Sequence, residues 1–159
     1  MQSHNQAGEV DTSSKFAVAC FIRQLGFSRV VIVENPKSII DITADTPDGN
    51  PVAIEVKARN CSHDAYPDMR CEHLKYRVVQ AGVYAGTYRG GILACIYSDG
   101  YIAMGDLLDG RRSQGLGPKS TTWEPVTVAK DYWDVDRARE WYVKPLLDAV
   151  KERFGENGK

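Results

Sequence analysis

Asp41, Glu55 and Lys57 are the residues of this 159-residue chain whose types and spacing best fit a chemical role. They stand in two apolar segments, Ile39-Ile-Asp-Ile-Thr-Ala44 and Val52-Ala-Ile-Glu-Val-Lys57, where charge is costly to bury. Both segments read as strands. Side chains alternate along a strand, so Glu55 and Lys57 share one face. Between the segments lies Asp45-Thr-Pro-Asp-Gly-Asn50, whose turn chemistry predicts a hairpin that returns Asp41 to their side. Two carboxylates and an ammonium at one sheet edge make a hard oxygen site for Mg²⁺ or Mn²⁺. Such an ion polarises a phosphate and lowers the pKa of bound water, while Lys57 holds the attacking water or the transition-state charge. A buried salt bridge of Lys57 with one carboxylate would account for a single pair. Three charges in two apolar strands favour a site.

The elements that must hold these residues follow from periodicity. Residues 1–11 read as a flexible polar tail. A helix is predicted over Lys15–Leu25, capped by Thr12, Ser13 or Ser14 and ended by Gly26. Arg29–Glu34, Ser38–Ala44 and Pro51–Ala58 read as three strands, and Asn60–Asp68 as a loop. A second helix is predicted over Met69–Tyr88, with Leu74, Val78, Ala81 and Ala85 on its apolar face. Strands at Ile92–Tyr97 and Tyr101–Gly105 follow, joined by the turn Ser98-Asp99-Gly100. A Gly- and Ser-rich basic loop is expected over 109–122, a short edge strand over Thr121–Val128, and a final helix over Asp136–Phe154 interrupted at Pro145. The fold class is therefore α/β or α+β: a central mixed sheet of about five strands flanked by helices, ordered αβββαββ plus a C-terminal helix. Residues 12–159 are expected to form a single domain with its core over 12–105.

Composition limits the classes. Hydrophobic residues at 43% supply a core without a disulfide or metal staple. The four cysteines are dispersed and read as thiols of a cytoplasmic protein. The first residues lack the apolar stretch of a signal peptide, and no apolar run is long enough to cross a bilayer. A net charge of −1 argues against a protein that coats nucleic acid, but little against one that pairs metal-holding carboxylates with phosphate-holding cations.

An Asp followed fourteen positions later by Glu-x-Lys, on a hairpin after a helix ending in Leu25-Gly26-Phe27, resembles the PD-(D/E)xK nuclease superfamily of restriction endonucleases, junction resolvases and phage nucleases. The resemblance spans about residues 12–105. It implies a restriction endonuclease-like core and a deoxyribonuclease of a bacterial or phage-infected cell, with DNA as partner and a homodimer as a common state. It further implies that Asp41 and Glu55 bind the metal, that the Val56 carbonyl is a further ligand, and that Lys57 is catalytic. Ile40 stands where the motif's Pro usually does. Many members carry a Glu in the first helix, where this chain has Ser13, Ser14 and Lys15; Glu9 is the weak candidate for that ligand.

The surrounding cations are the expected nucleic-acid contacts. Arg59 shares the strand face of Glu55 and Lys57, with a phosphate contact and a solvent-facing role evenly matched. Lys75, off the expected apolar face, resembles a lysine in the second helix of phage-type members, although a solvated side chain is the simpler reading. Arg111, Arg112 and Lys119 in the basic loop are weaker candidates. Cys61, His63, Cys71 and His73 offer zinc-type ligands, but their Cys-x-His pairs converge poorly, so a loop His near a catalytic metal is preferred. Trp123, Trp133 and Trp141 read as core or interface residues. Two alternatives to a nuclease remain: a catalytically silent module of the same fold that binds nucleic acid or a protein, and an oligomer-forming subunit.

Overall fold

Helix α1 runs His4–Gln24, with Ser14, Val18, Ala19, Phe21 and Ile22 as its buried stripe. The computed structural model describes the backbone of residues 4–35, 38–118, 127–136 and 140–145, and side chains within 13–35, 38–114 and 131–135 except Trp133. The helix thus starts at His4, and residues 4–11 are helix where a tail was expected. It stops at Gly26, whose φ of 97° only glycine adopts freely. Phe27 N–H donates to Ile22 O (3.0 Å) and Gly26 N–H to Arg23 O (3.1 Å), the two bonds of a Schellman cap, and Phe27 packs in the same apolar cluster as Ile22.

Strands β1 (Ser28–Ile32), β2 (Ile42–Asp45) and β3 (Pro51–Arg59) form an antiparallel meander. Strand β4 (Asp68–Glu72) and helix α2 (His73–Tyr84) lead to β5 (Gly90–Tyr97), which lies parallel to β3, and β6 (Tyr101–Asp106) returns antiparallel. Among the described residues, β9 (Glu140–Pro145) completes a six-stranded mixed sheet ordered β1-β2-β3-β5-β6-β9. A second sheet, ordered β4-β8-β7, is built from β7 (Arg111–Pro118) and β8 (Thr127–Asp136) beside β4. The expected core, αβββαββ around a mixed sheet, is present.

Four further expectations are corrected. Residues 68–72 form a strand before α2 because Met69 and Cys71 alternate inward with exposed Arg70 and Glu72, and β8 pairs along them. The basic segment after Asp109 is strand β7, paired with β8 from Arg111 to Pro118, and not a loop. The final helix is replaced over 140–145 by β9, where Trp141, Tyr142 and Val143 have strand-favouring side chains and Pro145 falls at the end of an edge strand. The remainder of that expected helix, 146–154, lies outside the described residues. Of the short edge strand expected over Thr121–Val128, only Thr127 and Val128 are described, as the start of β8.

The fourth correction concerns the roll of α2. Leu74 is exposed and Val79 is buried, so the helix presents Lys75 and Val79, one turn apart, to the protein. The cause is Gly91 in β5: a Cβ there would lie 2.5 Å from a Val79 methyl. The glycine lets Val79 seat against the sheet, and that contact sets which face of α2 turns inward. The core lies in two layers. Val52, Ile54 and Val56 pack against α1, while Ala53, Leu93 and Cys95 pack with Val79 and Met69 on the other face. No described helix is long and apolar enough to cross a membrane.

Gly91→Ala is expected to destabilise the protein by about 1–3 kcal/mol through overpacking against Val79. Gly90→Ala, whose new methyl would meet only Val52 at 4.0 Å, is expected to stay within about 1 kcal/mol of the parent. Urea unfolding measures both; equal midpoints would refute this packing of α2.

Candidate active site

The β2–β3 ladder runs from Asp45↔Pro51 to Ile42↔Ile54 and then ends. Asp41 stands one residue before β2, not within it, and its backbone carbonyl accepts a bond from Val33 N–H (2.8 Å). Its carboxylate takes over where the ladder stops: Oδ2 accepts the buried Val56 N–H at 2.8 Å. Oδ1 lies 3.2 Å from the Lys15 ammonium on α1. Both Asp41 and Glu55 are buried.

Strand alternation puts Glu55 and Lys57 on the face that carries Ala53, away from α1, as the sequence predicts. Glu55 is 3% exposed and forms a side-chain hydrogen bond with Asp41. Its Oε1 lies 3.3 Å from Lys75 Nζ and 3.7 Å from Lys57 Nζ. Lys75 also donates to Ile39 O at 3.3 Å. Lys57 donates to Glu72 Oε2 at 2.7 Å, and Glu72 sits at the start of α2. The hairpin, two helices and β4 thus bring three carboxylates and three ammoniums together.

Burial and the neighbouring Asp41 charge push the Glu55 carboxyl up to about 8, against the opposing pull of Lys75 and Lys57. Burial works against the Lys57 charge, but the Glu72 hydrogen bond and the nearby carboxylates outweigh it and raise its pKa. Burial likewise opposes ionisation of Glu72, yet its bond to Lys57 holds it below the usual carboxylate range. At neutral pH the array is therefore an ionised Lys57–Glu72 pair beside a Glu55 carboxyl that keeps its proton. Close carboxylates with hard oxygen donors suit a divalent cation, which would relieve their mutual repulsion. Asp41 and Glu55 are the residues that could hold one.

The other expected residues are placed unevenly. Lys75 is part of the site, because the roll of α2 turns it toward Glu55. Arg59 continues the same strand face and is half-buried. Arg111 lies 3.7 Å from Asp68, and exposed Arg112 pairs with Asp131 at 2.8 Å. Lys119 and the side chain of Glu9 lie outside the described residues, as do the side chains of Trp123, Trp133 and Trp141. Cys71 is buried, and burial together with the Glu55 charge pushes its thiol up to about 12, so it makes a poor metal ligand. Among the described residues, the metal-type cluster that includes a loop histidine is His63 with Asp64 and Asp99, and His63 Nδ1 lies 2.6 Å from Asp99.

Sequence reasoning gave no role to Lys15 or Glu72. The signal for Lys15 was present: it lies one turn before Ala19 and two before Ile22, on the apolar stripe of α1. Glu72 was hidden by the assignment of a continuous helix.

No family model matches the chain, and no curated protein sequence matches it. A solved structure shares the fold: the Holliday junction resolvase Hjc of Archaeoglobus fulgidus, with a TM-score of 0.55 and 12% identity over 87% of this chain and 93% of that one. The chain therefore has a resolvase-like, restriction endonuclease-like fold.

The raised Glu55 carboxyl has a consequence for stability. The folded chain keeps that proton up to about pH 8, whereas the unfolded chain loses it near 4.5. Between those values the folded state binds more protons, so Glu55 makes stability fall as pH rises. In chelator-treated protein, Glu55→Gln is expected to flatten the decline in urea stability across that window. Parallel curves for parent and variant would contradict the burial assigned to this carboxyl.

Proposed function

We propose that the protein is a divalent-metal-dependent nuclease that hydrolyses DNA phosphodiester bonds. The observation that carries this reading is the buried pair Asp41–Glu55 with Lys57 3.7 Å away, on a fold shared with a resolvase. Asp41 and Glu55 would hold Mg²⁺ or Mn²⁺. The Val56 carbonyl is a reasonable third donor, because the N–H and C=O of one strand residue point to the same edge and its N–H already meets Asp41. A bound cation supplies phosphate polarisation and acidifies its water. Lys57 carries its proton firmly, so it acts by orienting a water or stabilising phosphoryl charge rather than as a base. Glu72 fixes the Lys57 ammonium above the carboxylates. Lys15, Lys75 and Arg59 offer positive charge to phosphates, with Arg111, Arg112 and Lys119 as outlying contacts. The neighbour is described as acting on Holliday junctions, which makes branched DNA a substrate to include beside linear duplex and single strands. A homodimer would allow paired cuts.

A second function, binding without turnover, is favoured by one observation: the Lys15 and Lys75 ammoniums occupy the ground beside Asp41 and Glu55. Lys57→Ala and Asp41→Asn are each expected to lower Mn²⁺-dependent cleavage by about 100-fold or more while circular dichroism stays unchanged. Parent-like cleavage in both would remove the assignment. DNA binding that ignores divalent metal, with no cleavage of any of these substrates, would establish the second function instead.

A further inference from the structure

Beyond Lys57, the same face of β3 opens into a cavity of about 500 Å³. Arg59, Tyr66, Pro67, Met69, Arg70 and Tyr97 line most of it. The loop after β3 supplies Tyr66 and Pro67, and β4 supplies Met69 and Arg70. Tyr66, Pro67, Met69 and Tyr97 give it apolar and aromatic walls between charged side chains, and Tyr66 remains 66% exposed.

The charges in this cavity are unequally matched. Arg70 spends its guanidinium on Asp134, at 2.7 Å, and on the Tyr132 ring. Asp68, also on the wall, has Arg111 3.7 Å from its carboxylate. Among the described residues, Arg59 has no hydrogen bond or acidic partner, and its charge acts against that of nearby Lys57. A half-buried cation without a counterion is costly to keep, and an anion brought by a ligand would offset that cost.

Spacing indicates which anion. Lys57 and Arg59 are alternate residues of one strand, about 7 Å apart along it. That is comparable to the separation of neighbouring phosphates on a nucleic-acid strand. A strand laid along this face with one phosphate at Lys57 sets the next at Arg59 and its nucleoside in the cavity. The volume is ample for one nucleoside. The aromatic walls suit an unstacked base, which proteins commonly hold against Tyr or Phe. A base inside a duplex cannot enter without leaving its stack.

We propose that this cavity is a nucleotide pocket, and that the substrate carries an unpaired nucleotide next to the phosphate held at Lys57. The inference rests on the nuclease reading and names the substrate class for the same site. Arg59 grips the adjacent phosphate, and Tyr66 stacks on the unpaired base.

The test uses the full-length protein with Mn²⁺ and two 2-aminopurine-labelled DNAs. One is a fully paired duplex; the other has the label in an unpaired nucleotide at a strand tip. The parent is expected to quench the unpaired label and to bind and cut that DNA at least about tenfold better than the duplex. Tyr66→Ala should lose the quench and the preference, and Tyr66→Phe should keep both. Arg59→Ala should weaken binding and lower its salt dependence by about one phosphate contact. An unquenched label, equal treatment of both DNAs by the parent, or full preference in Tyr66→Ala would overturn the pocket. Cleavage without preference would leave the nuclease reading standing and remove the pocket. Tyr66-dependent quenching without cleavage of either DNA would do the reverse.

Discussion

Two carboxyl groups, Asp41 and Glu55, are buried against each other where a strand ladder ends, and much of the structure compensates for that burial. An uncompensated pair of this kind would be strongly unfavourable, because each charge loses water and gains a like neighbour. Three devices offset the cost. Asp41 accepts a backbone N–H that the end of β2 would otherwise leave without a ladder partner. Glu55 retains a proton and shares a hydrogen bond with Asp41. Ammoniums arrive from three separate elements: Lys15 from α1, Lys57 from β3 and Lys75 from α2.

The last device ties the site to the core. The ammonium of Lys75 can meet Glu55 only because α2 is rolled so that Val79 enters the space left by Gly91. Lys15 reaches Asp41 from the same helical stripe that buries Val18, Ala19 and Ile22. The parallel pairing of β3 with β5 fixes the strand between these helices, with Glu55 opposite Leu93 and Lys57 opposite Cys95. Apolar packing thus decides which cations the carboxylates meet. The charges add little that would specify the fold by themselves, since buried ion pairs seldom repay their desolvation.

Strand alternation and turn chemistry made the centre of the site legible in the sequence. Glu55 and Lys57 had to share a face, and the turn at Asp45–Asn50 had to return Asp41 to them. The flanking cations were less legible for specific reasons. Lys75 was assigned outward because Leu74, Val78, Ala81 and Ala85 form an apparent apolar face, but a glycine on another strand sets the roll of α2. Such a contact leaves no periodic trace. Strand β4 was absorbed into the helix because residues 68–72 mix polar and apolar types, and their partner β8 lies more than fifty residues away. Strand β9 was concealed for a similar reason: Val143, Leu147 and Val150 repeat at helical intervals, while pairing with β6 decides the backbone at 140–145. Local pattern carries the hairpin; long-range pairing carries the second sheet and the sheet's last strand.

The balance of three carboxylates against three ammoniums bears on how one site could serve both a cation and a phosphate. In the present arrangement each ammonium lies beside a carboxyl group, and with Glu55 protonated the array carries a small positive charge. On the proposed function, a divalent ion shared by Asp41 and Glu55 would weaken their hold on Lys15 and Lys75. Those ammoniums would then face outward charge, such as phosphate oxygens, without any backbone rearrangement. Lys57 differs, because Glu72 holds it independently of the buried pair. It would keep its place while its neighbours change partners. That separation of a fixed ammonium from two exchangeable ones is a physical reason to assign Lys57 the role nearest the chemistry, and Lys15 and Lys75 the roles of charge balance and strand contact.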